Sequence, residues 1–578
     1  MIVRCSTPII LLLYAVAVAW HSLHPVMSVL SGHWNHPLTP FVDENSIDAS
    51  FYRAPAFDRR KNLSFSIQGK SLCDALTRQR ISSASNIRCV SLSASINEPA
   101  KRSSIDVARI APANAPVNPQ NEALVLIAPH HTMASEFALL PAFVQHLAER
   151  PWLAKTVFVV TPSEANGSVS LALETFLKLQ LEDSTNLPAE YRGSVLRQLL
   201  VLSSQPSSSA SRSKVLLAPT GNSGIMPNMD LYSVAYRVFS ISNKFIIQAY
   251  PDHVLQKAEN WKNWLDSTSK GRLQFTTNKS NVTRWWNSLW NWIFWEIHLA
   301  TRIESSPHAM ALECGIDSMT VELLPRTKSD MVTFLKSVEM IVHSMSNAHE
   351  RLHHNTALFA LPQAHGNAYL KHEEFLIPNL LLLIPLIIRA VTLLFFSTTD
   401  EGSFEVLETG QTLCAVSLAT FAVSSSLEII QTKIASTSIV TTQQWVVAGH
   451  YVILGIWIVL VKGTSAKSKQ YTKSLQIGAC LMILFLHLPI AFGHVALAFP
   501  SALFLAPWAS VWTLKTSPPL TCISAIFQWT TRVLILLILL ICGPYILVPR
   551  IFAHFTTYVK YVYTPCHILL VIVWASSL

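Results

Sequence analysis

ALVLIAPHH, residues 123–131, opens with six consecutive apolar residues and no polar alternation, the pattern of a short strand covered on both faces. A second such run, TVFVV at 156–160, follows it. Between them, residues 136–149 carry Phe137, Leu140, Phe143 and Leu147 at helical spacing. This is a strand, helix, strand unit. RQLLVL at 197–202 offers a third strand, and SMTVELL at 318–324, stopped by Pro325, a late one with partial alternation. Apolar strands separated by helices predict an α/β domain: a central, mostly parallel sheet with helices on both faces.

Outward from this core, two strings read as linkers: residues 91–121, rich in Ser, Ala and Pro, and SSQPSSSASRS at 203–213, which buries too little apolar surface to order itself. From 329 to 358, apolar residues recur at Val332, Leu335, Val338, Val342, Met345 and Leu352, which marks one apolar stripe of a long helix. WWNSLWNWIFWEIHL, residues 285–299, has two readings. Its tryptophans suit a helix lying on a membrane surface, and equally an aromatic helix of the core.

The rest of the chain implies a second solvent. Half of all residues are hydrophobic and 13% are charged, and the excess lies in 375–578, where acidic and basic residues are few. Apolar runs fall near 375–396, 411–430, 444–461, 474–492, 495–514, 532–549 and 561–577. At the other end, PIILLLYAVAVAW (8–20) has the length of a signal-peptide core. Extended to Leu30 it becomes a signal anchor, which is favoured because no small-x-small cleavage site follows. The expectation is about eight transmembrane helices: an anchor at 1–30, a luminal domain at 31–374 ending in the long helix, and a membrane domain at 375–578. Lys462, Lys467, Lys469 and Lys473 then fall on the cytosolic side, whereas the acidic loop at Asp400, Glu401 and Glu405 and the luminal Arg550 fit less well. The net charge of +9 is scattered apart from that loop, so it reads as a topology signal and implies no nucleic acid.

Four sequons, at Asn62, Asn166, Asn278 and Asn281, are glycosylation candidates of a luminal segment. No cysteine pair has CxxC spacing, which argues against a zinc finger. Cys73 and Cys89 are a disulfide candidate in an oxidising lumen, with free buried thiols as the alternative.

The strand ending in Pro129, His130 and His131, then a helix, then a strand ending in TPSE at 161–164, resembles the start of the di-zinc exopeptidase fold. That resemblance implies five ligands, with a bridging Asp and a Glu base, because two zinc ions repel unless anionic oxygens lie between them. The residual positions are His130 or His131, Glu164 and His308. Thr132 stands where the bridging acid belongs, Pro162 and Ser163 replace the acidic partner of Glu164, and Ser203 stands where the next Asp is expected. No metal, cofactor or hydrolytic activity is therefore expected.

A narrower resemblance covers nearly the whole chain. ENSI at 44–47, the unit ALVLIAPHH to FVVTP, GNSGIMPNMDL at 221–231, SPHAMALE before a strand and ERLHH at 350–354 occur in this order before an apolar C-terminal region. Together they resemble the anchor attachment subunit of glycosylphosphatidylinositol (GPI) transamidase, with PNMD at 227–230 the sharpest match. The resemblance implies a non-catalytic scaffold and lipid binder in the endoplasmic reticulum membrane. Its partners would be a cysteine/histidine protease-like catalytic subunit, the other transamidase subunits, GPI lipid and precursor proteins with a C-terminal GPI signal. Prolines and polar residues inside spans mark the lipid-binding candidates: Pro378, Asn379 and Pro385 in one run, His487 and Pro489 in another. Arg389 is expected to snorkel to the cytosolic headgroups. A membrane-tethered metallo-exopeptidase and a polytopic transporter with a regulatory luminal domain are the competing readings.

Mapping glycans on the intact chain tests the orientation. Modification at Asn62 or Asn281 is the expected result, and cytosolic accessibility of 31–374 overturns it.

Overall fold

The structure is a computed structural model that describes residues 2–30, 36–37, 71–78, 86–95, 102–112, 122–130, 139–164, 167–181, 187–204, 213–221, 226–242, 244–268, 281–301, 307–325, 328–347, 359–360, 368–396, 469–493, 498–503 and 505–506. It divides into two compact units, one comprising His24–Trp295 and Glu304–His372, the other Met1–Leu23, Glu296–Ile303 and Glu373–Leu578.

The first unit is built on an eight-stranded mixed sheet. In chain order its strands are β2 (Ile87–Ser95), β3 (Arg102–Ile110), β4 (Glu122–Ile127), β5 (Thr156–Pro162), β6 (Val195–Ser204), β7 (Lys214–Ala218), β8 (Ile246–Gln248) and β9 (Asp317–Leu324). The spatial order is β2-β3-β5-β4-β6-β9-β7-β8. β1 (His36–Pro37), β10 (Phe359–Ala360) and β11 (Ala368–Lys371) form a separate small antiparallel sheet.

The four strands legible in the sequence, β5, β4, β6 and β9, are mutually parallel and adjacent. The flanks correct the expectation of a mostly parallel sheet: β3 pairs antiparallel with both β2 and β5, and β7 antiparallel with β9. The helical layers are equally direct consequences of the sequence. Ala123, Val125 and Ile127 of β4, with Phe158 and Val160 of β5, join one core with Leu173, Phe176 and Leu177 of the Val169–Leu181 helix. The alternate residues Leu124, Leu126, Val157 and Val159 are also buried, facing the other layer, where the Lys328–Asn347 helix contacts β4. Each such side chain contributes about 1.5–3 kcal/mol of burial.

Within the string 91–121 expected as a linker, 96–101 and 113–121 lie outside the described residues, and the described ones are largely strand. They hold the end of β2 and all of β3, paired in unbroken register from Ile87↔Ile110 to Ser95↔Arg102. A buried acid explains how a Ser-rich string is stabilised as strand. The Asp106 carboxylate accepts hydrogen bonds from Ser91 Oγ (2.7 Å), Ser163 Oγ (2.8 Å) and the Cys73 N–H (3.3 Å), so one fully buried side chain joins β2, β3, the end of β5 and the Leu72–Arg78 helix. Cys73 and Cys89 are joined by a disulfide in the same corner. In the second linker string, β6 runs on to Ser204, and residues 205–212 lie outside the described ones.

A second polar knot fixes the long helix. Glu339 lies 3.0 Å from His146 Nε2 and 3.0 Å from Arg150 Nε, and Ser346 Oγ accepts the Ala154 and Lys155 N–H groups at 2.9 and 3.0 Å. The Asn281–Thr301 helix follows the core reading on one face: Trp292 and Trp295 are buried, stacked on each other and, through Trp295, on Tyr250.

The second unit contains the Ile2–Leu30 helix as far as Leu23, the His372–Phe396 helix from Glu373, and the Lys469–Gly493 helix. Leu376–Leu394 is the one helix among the described residues long and apolar enough to cross a membrane; Pro8–His24 and Gln476–Phe492 are shorter apolar segments. The expected spans at 411–430, 444–461, 532–549 and 561–577, and most of 495–514, lie outside the described residues. Ile10, Tyr14 and Ala17 pack in one cluster with Leu382, Leu383, Leu386, Ile477, Cys480 and Phe499. The buried His21 pairs with Glu296 at 3.0 Å and stacks on Phe499 at 3.6 Å, so the first apolar helix is a packed member of this unit.

Replacing Glu339 by Leu strands Arg150 and His146, and the expected loss in denaturant unfolding of the full chain is about 3–5 kcal/mol, largely recovered in His146→Leu/Arg150→Leu/Glu339→Leu. A loss under about 1 kcal/mol in the single variant contradicts this role for the knot.

Candidate functional site

The residual ligand positions are best placed by strand register. Val160 of β5, Ile127 of β4, Val201 of β6, Thr320 of β9 and Ala218 of β7 form one row across the sheet. His308, fully buried just before the Ala309–Glu313 helix, directs Nδ1 at Thr320 Oγ1 over 2.7 Å. Its carbonyl accepts the Ser318 hydroxyl at 2.9 Å. The backbone of Pro219 and Thr220 lies against the same ring. His308 is thus pinned on β9 and the loop after β7.

Glu164 is exposed, two residues beyond the end of β5. In the sheet order β4 and β6 lie between β5 and β9. His130, just past β4, is buried; His131 lies outside the described residues. Among the described residues, no group of three or more His, Cys, Asp or Glu side chains has metal-binding geometry.

PNMD is a helix start. Asn228 caps the Met229–Ile241 helix by accepting the Asp230 N–H at 3.0 Å, and its own N–H donates to Asp317 Oδ1 at 2.9 Å. Burial holds the Asp317 carboxyl above its ordinary range, against the opposing effect of the Asn228 N–H. The motif therefore ties the first residue of β9 to a covering helix. Ser or Asn before an apolar helix was the available signal, but its partner 89 residues away was not.

In the apolar unit, Pro378, Asn379 and Pro385 lie within the His372–Phe396 helix and Pro489 within Lys469–Gly493. The His487 ring donates from Nδ1 to the Ile483 carbonyl at 2.9 Å, a contact with its own helix. Asn379 differs. It is 1% exposed, and neither amide atom has a hydrogen-bond partner among the described residues. Asn62, Asn166 and Asn278 lie outside the described residues, and Asn281 begins the 281–301 helix.

A family model described as Gaa1-like, GPI transamidase component, matches residues 111–571. The chain belongs to this family. The match runs from the end of β3 through the rest of the sheet, the Trp-rich helix and the apolar helices, so both units are parts of one Gaa1-like protein. Compared with curated proteins, the chain finds no match. Membership makes it a component of an enzyme complex, the GPI transamidase.

Within this Gaa1-like fold, burial lowers the His308 pKa from 6.5 to about 4 against the opposing pull of the Pro219 and Thr220 backbone. Because the folded value lies below the ordinary one, unfolding takes up a proton between these two values. The stabilising contribution of neutral His308 is full above about pH 6.5 and is lost as pH falls through about 4. Unfolding midpoints of the full chain between pH 4 and 7 should fall on acidification, and His308→Asn should flatten that fall. Identical pH profiles for the two proteins contradict the assignment.

Proposed function

We propose that this chain is a non-catalytic subunit of GPI transamidase in the endoplasmic reticulum membrane, with its sheet domain luminal. There it holds the luminal parts of the complex together and presents the GPI lipid to a cysteine/histidine protease-like subunit that supplies the nucleophile. The sheet domain acts as an exopeptidase-like scaffold without hydrolytic chemistry. Supporting this are the absent bridging acid at Thr132 and the pinned ring of His308.

Asn379 carries the lipid-binding part. A buried amide without partners costs about 1–3 kcal/mol for each unsatisfied group, and a ligand that both donates and accepts removes that cost. The hydroxyl-rich headgroup of a glycosylated inositol lipid has this chemistry, and its acyl chains suit the surrounding apolar cluster. Pro378 and Pro385 remove two backbone donors from the same helix, which frees carbonyls one turn earlier for the same purpose.

Two measurements on cells expressing the tagged full chain test this. The chain should co-purify the protease-like subunit. Asn379→Leu should leave that association intact while lowering surface display of a GPI-anchored reporter about tenfold, the equivalent of one lost hydrogen-bonded contact, with partial recovery in Asn379→Gln. Normal anchoring in Asn379→Leu removes the lipid role, and a chain that never brings down a protease-like partner removes the scaffold role.

A further inference from the structure

Arg389 lies inside the candidate span Leu376–Leu394, yet it is 5% exposed and its Nε has no hydrogen-bond partner among the described residues. A guanidinium remains charged at every accessible pH, and an isolated buried charge is among the least tolerated features of an apolar interior. Among the described residues its surroundings offer no anion. The Cys480 thiol acts on it electrostatically, Leu386, Ala390, Ile477 and Ile483 belong to the apolar cluster around that thiol, and the Thr392 hydroxyl donates to the Ile388 carbonyl. The described residues therefore leave its charge without a counter-ion.

Depth and neighbours indicate its chemical class. Arg389 is five residues from Leu394, about 7.5 Å along the helix, so its long side chain reaches the boundary between acyl chains and headgroups. Cys480 follows Lys473 by two helical turns, and Lys462, Lys467, Lys469 and Lys473 make that end of the Lys469–Gly493 helix the most basic stretch of the apolar region. Basic clusters of this kind attract anionic lipid surfaces.

We propose that Arg389 binds the phosphate of a phospholipid seated between the His372–Phe396 and Lys469–Gly493 helices, with its acyl chains along the apolar cluster. The planar fork of the guanidinium matches two phosphate oxygens. A phospholipid brings its own apolar tail into the cluster, whereas a protein carboxylate would enter it without one. The site is separate from the GPI-presenting position: Asn379 lies ten residues earlier, about 15 Å along the same helix.

The test uses the full chain, purified in maltoside detergent and delipidated, then examined by native mass spectrometry with dioleoyl-phosphatidylinositol, dioleoylglycerol or inorganic phosphate. The wild type should retain phosphatidylinositol, retain no dioleoylglycerol, and hold inorganic phosphate at least tenfold more weakly. Arg389→Gln should weaken phosphatidylinositol at least tenfold, and Arg389→Lys should weaken it less. If Arg389→Gln fails to fold, the wild-type comparison of phosphatidylinositol with dioleoylglycerol decides. Equal retention of those two lipids overturns the proposal, as does undiminished retention by folded Arg389→Gln. Inorganic phosphate binding as tightly as the lipid assigns a free-anion site instead and also overturns it. So does loss of a partner subunit from Arg389→Gln with lipid retention unchanged, which assigns a partner carboxylate.

Discussion

The register of the parallel strands is the constraint on which the rest of the sheet unit depends. A slip of one residue would turn every side chain of a strand to the opposite face, and with both faces buried no alternative pairing keeps the helical layers in place. The same register sets which loop residues meet. It pins His308 on Thr320, ties Asn228 to the first residue of β9, and places the end of β5 three strands away. A fold with this strand core has loops suited to chemistry. Here the polar groups in those positions are committed to holding the scaffold together.

The two units treat buried polarity differently. In the sheet unit, Asp106 accepts three hydrogen bonds and Glu339 faces Arg150 and His146. In the apolar unit, His21 and Glu296 pair, but Asn379 and Arg389 have polar atoms without partners among the described residues. A satisfied network rigidifies its surroundings, whereas an unsatisfied one in an apolar interior invites a ligand. The contrast is the basis for proposing the first unit as a platform and the second as the place where lipid is recognised. This division of labour suits a Gaa1-like component of a multi-subunit enzyme.

Much of the fold was legible where burial was complete. ALVLIA, TVFVV, RQLLVL and SMTVELL each fall on a strand of the parallel centre, because strands covered on both faces have little room for polar residues. β2 and β3 were not legible, since their serines lower the apolar signal and Asp106, which compensates, meets its partners only in three dimensions. PNMD stood out as a motif while its work as a cap bonded to Asp317 did not. The spacing of Cys73 and Cys89 left pairing open until the Asp106 corner brought them together. Within the apolar helices, sequence marked Pro378 and Asn379 equally. Only burial and hydrogen bonding separate the amide from its neighbours.

The proposal of a sheet domain without metal chemistry rests on charge. Two divalent cations need anionic oxygens between them, and Thr132, Pro162 and Ser163 supply none at the matching positions. The most direct measurement is the zinc content of the full chain, purified without chelators and equilibrated with excess zinc before desalting. Well under one tightly held ion per chain is the expected result. Two ions per chain, lost together on His308→Ala, would contradict an ectodomain that organises partners instead of cutting peptides.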